Sequence, residues 1–314
     1  MEIIETDCNG YREIFSSTYH VFNSVDFNVL NEARCDQLLF LFFKDTKIRM
    51  GLIAGVKGRE LKSPFSAPFG GFSFLKNDIT IAQIEMAVDA LLKYAAEKKY
   101  QHIHYTMPPL FYHEGFNSKL INVFHRKNFA TSAIDLNYQF NLQKLNDEYE
   151  MNIWYNARKN LKISFKQGFD FIKCETAEAK MEAYEVIKEN RTRKGFPLRM
   201  TYEQVKRTTE IIEADFFLLK KENEKVAAAQ VFHVAPAIVQ VIYWGDIPDF
   251  ANCKPMNFLA YSVFKYYKEQ GLQFVDIGPS TENGLPNYGL CEFKEGIGCD
   301  ITPKFTFTKL IESC

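Results

Sequence analysis

The sequence predicts an α/β protein made of two similar units in tandem, and three observations support this prediction. Segments typical of strands and helices alternate along the chain, as they do in layered α/β proteins. The order of these segments in the first half returns in the second half, which indicates an internal duplication. The length of 314 residues also matches the size expected for two domains.

The first half has the segments of a mixed sheet with a long helix. The predicted strands lie at 37–43, 48–56, 103–106 and 134–142. A helix is predicted over residues 81–99, because its apolar side chains recur every three or four positions. A further segment, 122–129, lies between the last two strands.

The second half repeats this plan. The predicted strands lie at 216–220, 226–234, 238–244, 274–277 and 304–309. A helix over 256–270 ends at Gly271, a residue type favoured just past a helix C-terminus. The segment 124–129 corresponds to 293–298, and matching landmarks of the two halves are about 170 residues apart.

The boundary between the units is predicted near residue 145, which gives domains 1–145 and 146–314. A polar segment there leads into a predicted helix over 153–167 that ends at Gly168. No stretch rich in Gly, Ser or Pro separates the halves, so we expect two rigidly packed domains.

The composition gives no reason to expect a DNA partner or a transmembrane segment. The formal net charge is −1, so a binding site for a polyanion has to be local. The longest apolar run, 38–43, has the length of a strand. The acidic start of the chain argues against a secretory signal, and we expect a cytoplasmic protein.

The cysteines and histidines do not predict a metal site. The seven cysteines are scattered and odd in number, which favours reduced thiols over a disulfide framework. His102 and His104 alternate along a strand and should face the same side, but further ligands at matching positions are missing.

Three short motifs of the second half stand in the order found in a known family. They are ARKNLK at 157–162 followed by KQG at 166–168, PMNFL at 255–259, and GLCEFKEGIG at 289–298. With them, the chain resembles the Fem-type peptidyltransferases of the GNAT acyltransferase superfamily over roughly 35–310. Ile297 departs from the aromatic residue that ends the third motif in the family.

The resemblance implies two tandem GNAT-like acyltransferase domains and the transfer of an acyl or aminoacyl group to an amine. The donor it implies is aminoacyl-tRNA or an acyl-CoA, without a metal. The acceptor is a peptidoglycan precursor or a small molecule. The second domain would hold the donor and the chemistry, and the first would support the acceptor, in a groove between the domains.

One feature of ordinary GNAT enzymes is missing. Their CoA pyrophosphate is held by a glycine-containing loop at the start of the central helix. The equivalent segments here, 74–79 and 249–256, contain no glycine. This departure favours the Fem-type donor or a degenerate donor site.

Lys294 is the main catalytic candidate. The resemblance implies that the pair Phe293 and Lys294 places a cation near the transferring acyl group. Such a cation can stabilise developing negative charge or bind a donor phosphate. The alternative is an ordinary surface lysine at a helix end.

Two basic clusters are candidates for donor phosphate binding. Arg158, Lys162 and Lys166 are four residues apart and therefore share one helical face. Arg191 and Arg193 belong to a second cluster, which we expect in a loop. The alternative for both clusters is a solvated face paired with glutamates.

The remaining candidates follow from their position beside the expected cleft. Asp276, at a strand end, is a candidate general base or a residue that holds the following loop. Tyr288 is a second catalytic candidate, and Tyr243 is an acceptor-binding one. The loop 63–71 resembles the segment that lines the acceptor side in relatives, and its candidates are Ser63, Gly70 and Gly71.

Three functions therefore stay open. The first is an N-acyl- or aminoacyltransferase that acts in cell-wall or surface-glycan synthesis, with tRNA as a partner. The second is an acyl-CoA-dependent N-acetyltransferase of an amino sugar or amino acid. The third is a catalytically degenerate binding protein with the same fold.

Overall fold

The computed structural model describes residues 1–312 and divides the chain into two compact units. The first unit contains Met1–Leu136, Glu282–Leu285 and residues 302–312. The second unit contains Asn137–Thr281 and Pro286–Ile301. The end of the predicted second domain, residues 313 and 314, lies outside the described residues.

The secondary structure combines runs of strands with intervening helices along the whole described chain. The strands are β1 (Glu2–Thr6), β2 (Gln37–Lys44), β3 (Ile48–Lys57), β4 (Glu60–Ser63), β5 (Phe72–Phe74), β6 (His102–Thr106), β7 (Ala130–Asn141), β8 (Asp170–Lys173), β9 (Ala214–Lys221), β10 (Glu224–Ala235), β11 (Ile238–Asp246), β12 (Phe274–Pro279), β13 (Thr281–Glu282), β14 (Leu285–Pro286) and β15 (Asp300–Leu310). The helices are α1 (Cys8–Ile14), α2 (Val25–Leu30), α3 (Ile81–Glu97), α4 (Glu114–Arg126), α5 (Tyr149–Asn152), α6 (Tyr155–Ser164), α7 (Ala177–Lys194), α8 (Tyr202–Thr209), α9 (Pro255–Glu269) and α10 (Tyr288–Gly296).

The first unit is a mixed sheet with helices on both faces. Its strand order is β1-β2-β3-β4-β6-β15, with β5 paired to β3. β4 and β6 run parallel, and β15 lies antiparallel on the other side of β6. Side chains of β2 are buried on both faces: Leu41 and Phe43 join the core with α3 and α4, whereas Phe40 and Phe42 pack with α1. This double burial explains why the strand is continuously apolar.

The second unit has a similar sheet in which the order is β7-β12-β11-β10-β9-β8. Helix α7 covers one face, where Tyr184 and Ile187 contact Phe216 and Leu218. Helix α9 lies on the other face, and its Phe264 stacks on a β7 ring with centroids 4.0 Å apart. Burial of these apolar side chains is the main stabilising contribution.

Helix ends follow from local sequence. Thr80 and Gln83 form a capping box at the start of α3, in which each side chain accepts from the other residue's backbone N–H. Thr176 caps the start of α7 through its hydroxyl. Helix α7 stops where Gly195 takes the left-handed conformation with φ of +69°.

The structure differs from the sequence prediction in several respects. From Thr302 on, strand β15 belongs to the first unit and not to the predicted second domain. The units divide between residues 136 and 137, inside β7, rather than near 145, because the polar segment after β7 marks the strand end and not a change of unit. The region 177–209 is also helical: α7 and α8 had no predicted counterpart. Both helices are dominated by charged and polar side chains, so their buried apolar stripe is narrow and its periodicity is weak in the sequence.

Candidate functional site

Two neighbouring parallel strands of the second unit separate after a short paired stretch. β11 and β12 pair only over three positions, from Ile238 with Phe274 to Gln240 with Asp276. On its other side, β12 pairs with β7 through an irregularity between Asp276 and Pro279. The last residues of β12 therefore carry backbone carbonyls that are not used in a regular ladder. Such an opening between strand ends is a place where a ligand can approach the backbone.

The ammonium group of Lys294 lies in this opening, at the end of β12. The side chain is 3% exposed, and its Nζ donates to the carbonyl oxygens of Ile277 and Gly278, each at 2.8 Å, and of Pro279 at 3.2 Å. An ammonium group has three donors, so all three are used. Lys294 thus does not lie on the surface, and the alternative of an ordinary surface lysine is wrong.

The environment of Lys294 lowers its pKa to about 8, mainly because burial disfavours the charged form. The charges of Cys299 and Asp276 act in the opposite direction and raise this pKa. The aromatic ring of Tyr138 lies 5.2 Å from the Nζ atom, a distance that allows a cation–π interaction. A buried group with a strongly shifted pKa at a strand opening is typical of functional sites.

Helix α10 holds Lys294 at this position. Asn287 caps the helix by accepting from the backbone N–H of Leu290 at 3.1 Å, and its own N–H donates to Ser280 at 2.8 Å. At the other end of the helix, Glu295 accepts from the hydroxyl of Tyr138 at 2.9 Å. These contacts fix the helix at both ends, so that residue 294 faces the sheet.

Asp276 is fully buried and is engaged by three donors. Its carboxylate accepts from the side-chain amides of Asn137 and Gln240, each at 2.8 Å, and from the backbone N–H of Gly278 at 2.9 Å. These bonds connect β7, β11 and β12 at the opening. They also shape the irregular end of β12, whose carbonyl oxygens bind the ammonium group of Lys294. The arrangement suits the role of holding the following loop rather than that of a general base.

Arg191 lies beside the site. Its guanidinium stands 5.1 Å from the ring centroid of Tyr243, and its positive charge lowers the pKa of Lys294 further. Within residues 1–312, Arg191 forms no ion pair, and burial lowers its pKa. Tyr243 is buried, and this burial raises its pKa. A half-buried guanidinium without an acidic partner is suited to bind an anion.

Arg193 differs from Arg191 although both lie in the last turn of α7 and not in the predicted loop. Arg193 forms ion pairs with Glu189 at 2.7 Å and Asp249 at 3.3 Å. Its charge is therefore already compensated on the surface, as the solvated-face alternative expects. Donor binding by Arg193 remains a sequence prediction.

The first basic cluster lies together, with Arg158 and Lys162 on α6 and Lys166 two residues past its end. Arg158, Lys162 and Lys166 line one shallow cavity of about 290 Å³. The helix packs against α10, because Ala157 and Trp154 lie next to Gly296. Lys294 itself points to β12 carbonyls.

Two further candidates lie on α10. Tyr288 is its first residue and is 75% exposed, so its hydroxyl is accessible. Phe293 is partly buried and meets the ring of Trp244 edge to face at 6.1 Å. Both residues belong to the same helix as Lys294.

The predicted acceptor loop of the first unit is held by contacts within that unit. The buried hydroxyl of Ser63 donates to Ile53 and accepts from the N–H of Gly71, each at 3.0 Å. A Cβ on Gly70 would lie 2.9 Å from the nitrogen of Pro64, and one on Gly71 would lie 2.1 Å from the hydroxyl of Tyr105. The glycines thus permit close internal packing. Acceptor binding by this loop stays a prediction.

The ring centroids of His102 and His104 lie 5.9 Å apart, so the two side chains face the same side as predicted. Across residues 1–312, no group of three or more His, Cys, Asp and Glu side chains is arranged to hold a metal ion. The same part of the chain contains no helix that is both long and apolar enough to cross a membrane.

Comparison with known proteins identifies the fold. No family model matches the chain, and no curated protein matches it by sequence. Among solved structures, FemX aligns over 99% of this chain and 97% of its own with a TM-score of 0.71 and 13% identity. A tandem GNAT protein from the clavulanic acid biosynthesis pathway aligns over 100% and 99% with a TM-score of 0.51 and 9% identity. The chain has a tandem GNAT-like fold.

The resemblance to FemX-like structures that the motifs predicted is confirmed at the level of fold. The chain is also similar in structure to L-PGS from Bacillus licheniformis, which aligns over 98% of this chain and 94% of its own. Its TM-score is 0.62 and its identity is 16%. In this fold, the opening between β11 and β12 belongs to the second GNAT-like unit.

Sequence reasoning missed the residues that support Lys294. Gln240 lies in the mainly apolar strand β11, Asn137 and Tyr138 lie in β7, which mixes polar and apolar residues, and none of the three was a candidate. A signal was nevertheless present, because a lone amide inside a buried strand needs a hydrogen-bond partner. The sequence could not indicate that the partner of both amides is Asp276.

Proposed function

We propose that this protein transfers an acyl or aminoacyl group from an activated donor to an amine, with the donor bound in the second unit. The observation that carries the proposal is the buried ammonium of Lys294 at the opening between β11 and β12 of a GNAT-like unit. Attack of an amine on an ester or thioester carbonyl develops negative charge on the carbonyl oxygen. A cation held at the strand opening, with little water around it, favours that charge.

Each residue of the site has a separate part in the proposal. Lys294 contributes positive charge, and its hydrogen bonds hold the end of β12. Asp276 positions the strand carbonyls that bind Lys294. Arg191, whose guanidinium has no acidic partner among the described residues, binds an anionic group of the donor. The ring of Tyr243 packs against this guanidinium. Tyr288 and Phe293, both on α10, line the path by which the substrates reach Lys294.

The favoured donor is aminoacyl-tRNA, and the favoured acceptor is the amine of a peptidoglycan precursor. The motif at 289–298 and the fold shared with FemX support this choice. The structure of α3 adds a physical reason for placing no donor in the first unit. Its capping box already satisfies two of the N–H groups at the helix start, those of Thr80 and Gln83, which leaves fewer donors for a pyrophosphate.

One observation favours acyl-CoA as a second candidate donor. Helix α9 of the second unit begins without a side-chain cap, because the ammonium group of Lys254 at its N-cap position cannot accept a hydrogen bond from the first-turn N–H groups. A phosphate can bind such a helix end. The acceptor would then be an amino sugar or an amino acid.

The donor is tested by thermal unfolding with acetyl-CoA, longer acyl-CoAs, aminoacyl-tRNA and uncharged tRNA. A donor at a hundred times its dissociation constant adds about 2.7 kcal/mol to the stability and raises the melting temperature by several degrees. We expect the rise with aminoacyl-tRNA. A rise with acyl-CoA alone would support the second candidate, and the absence of a rise with every donor would contradict both and leave a degenerate binding protein.

A matched pair of variants tests the anion site. Arg191→Gln should reduce donor affinity about tenfold or more, because its guanidinium has no other anionic partner. Arg193→Gln makes the same change two residues further along α7. There Glu189 and Asp249 already compensate the charge, so the variant should change donor affinity less than about twofold. Equal effects of the two variants would remove Arg191 from the proposed site.

A further inference from the structure

Helix α6 has a solvent face that carries basic, aromatic and neutral side chains. The segment Tyr155–Ser164 contains no Asp or Glu. Its buried residues, Ala157, Leu161 and Ser164, lie on the opposite side of the helix. We call the outer side the α6 basic face; its residues are Tyr155, Arg158, Lys159, Lys162 and Lys166. Tyr155, Lys159, Lys162 and Lys166 recur every three or four residues, and Arg158 lies directly before Lys159 on the same side.

The charges of the α6 basic face are largely uncompensated. Arg158, Lys159 and Lys166 form no ion pair or side-chain hydrogen bond in the part of the chain that is described. Lys162 has one partner, Glu150, at the long distance of 3.7 Å. The whole protein has a formal net charge of −1, so this positive surface is local. It is complementary to a surface that carries many negative charges.

Large apolar side chains are exposed beside these cations. Met151 is 65% exposed, Trp154 51%, Tyr155 72% and Phe165 41%. Tyr155 is the first residue of α6, Trp154 and Phe165 lie directly before and after the helix, and Met151 belongs to α5, the helix that precedes it. A row of cations flanked by exposed Trp, Tyr and Phe is typical of helices that lie in the interface of a membrane, where the rings sit among the headgroups.

We propose that the α6 basic face docks on the surface of an anionic lipid bilayer. The cations would meet the lipid phosphates, and Met151, Trp154 and Phe165 would enter the headgroup region. RNA is the other polyanion that the charges fit. It is disfavoured because contact with a phosphate backbone gives no reason to expose Met151 beside the aromatic rings. The proposal concerns a binding surface and does not depend on the transfer reaction.

Tryptophan fluorescence provides a direct test, because the chain contains only two tryptophans. In Trp244→Phe protein, Trp154 is the single reporter. Vesicles of phosphatidylcholine mixed with phosphatidylglycerol should shift its emission to shorter wavelength, and the protein should sediment with them. We expect neither effect with phosphatidylcholine alone, and both should weaken between about 0.05 M and about 0.5 M salt.

A charge-matched pair of triple variants shows whether α6 is responsible. Lys159→Gln with Lys162→Gln and Lys166→Gln should weaken partitioning roughly fivefold per lysine, about a hundredfold in total. The control replaces Lys47, Lys57 and Lys76, three exposed lysines of the first unit that form no ion pair among the described residues. It loses the same charge and should bind within about threefold of the unmodified protein.

Three outcomes would overturn the proposal. The first is that the unmodified chain fails to bind anionic vesicles at low salt. The second is that the two triple variants weaken binding equally. The third is that the α6 triple variant loses affinity for tRNA or polyuridylate while vesicle binding is absent, which would make the face an RNA site. Circular dichroism of each variant shows whether it is folded.

Discussion

The pair formed by α10 and β12 in the second unit differs from the pair formed by α4 and β6 at the matching place in the first. β6 is hydrogen-bonded on both sides over nearly its whole length, with β4 and with β15. β12 pairs with β11 over three positions and then separates from it. At the position aligned with Lys294, the first unit has His125, which is exposed.

The difference shows how one fold serves two purposes. In the first unit, Phe124 turns inward at the end of α4 and stacks on Phe129 at 4.3 Å, so the space between helix and sheet is apolar and closed. In the second unit, the corresponding space is open at β12 and holds a buried ammonium. Burying a charge is costly without partners, and three carbonyls are arranged to bind it. We therefore propose that the chemistry takes place in the second unit and that the first unit supports it.

Replacing the lysine has the largest expected effect. Lys294→Met keeps the length and apolar packing of the side chain but removes its charge. We expect the rate of transfer with the donor identified by thermal unfolding to fall about 100-fold, because the variant loses the positive charge and the three hydrogen bonds that hold the end of β12.

The aligned variant of the first unit is the control. His125→Met should change kcat/KM less than about twofold, because the exposed ring has no part in the site. Similar losses of kcat/KM in both variants would contradict the proposed difference between the units. The same holds if kcat/KM of Lys294→Met stays within a few-fold of the unmodified protein.

Replacing Asp276, which holds the end of β12 beside Lys294, has the next largest expected effect. This effect is on the stability of the fold. Asp276→Asn replaces a carboxylate oxygen by an NH2 group that faces other donors. We expect a loss of about 3 kcal/mol in the free energy of unfolding, measured with urea. Asp249→Asn changes an exposed carboxylate and should cost less than about 0.5 kcal/mol. A small effect at Asp276 would show that its three hydrogen bonds do not hold the strand opening.

The smallest expected effect is a dependence of stability on pH. The pKa of Lys294 is about 8 in the folded chain and 10.5 as a reference value, so the unfolded chain binds more protons between these values. Stability contributed by this residue should therefore rise with pH, by about 1 kcal/mol from pH 7 to pH 9. The comparison is with Lys294→Met, in which this increment should vanish. A parallel dependence in both proteins would contradict the burial of a charged lysine.

Much of the fold could be predicted from the sequence, because long elements carry their own periodicity. The helix at 81–99 and the apolar strand at 37–43 correspond to α3 and β2. Their buried positions are numerous enough to stand out from the polar ones. Helix α7 could not be predicted in this way, since most of its eighteen residues are polar and few are buried.

The candidate site was predictable only in part. The third motif pointed to Lys294, and the spacing on α6 placed three cations on one face. Neither signal could show that Lys294 is buried against three carbonyls, or that Arg193 is paired while Arg191 is not. Those distinctions depend on residues far apart in the chain, such as Asn137 and Asp276, which only folding brings together.

Hydrogen exchange with donor bound tests most directly whether the opening of the second unit is the donor site. Peptides that cover the end of β12 and helix α10 should exchange more slowly when the stabilising donor is present, because the donor would restrain both. Peptides that cover β6 and α4 of the first unit should be unchanged. Protection confined to β6 and α4, or absent from both pairs while the donor is bound, would contradict the account.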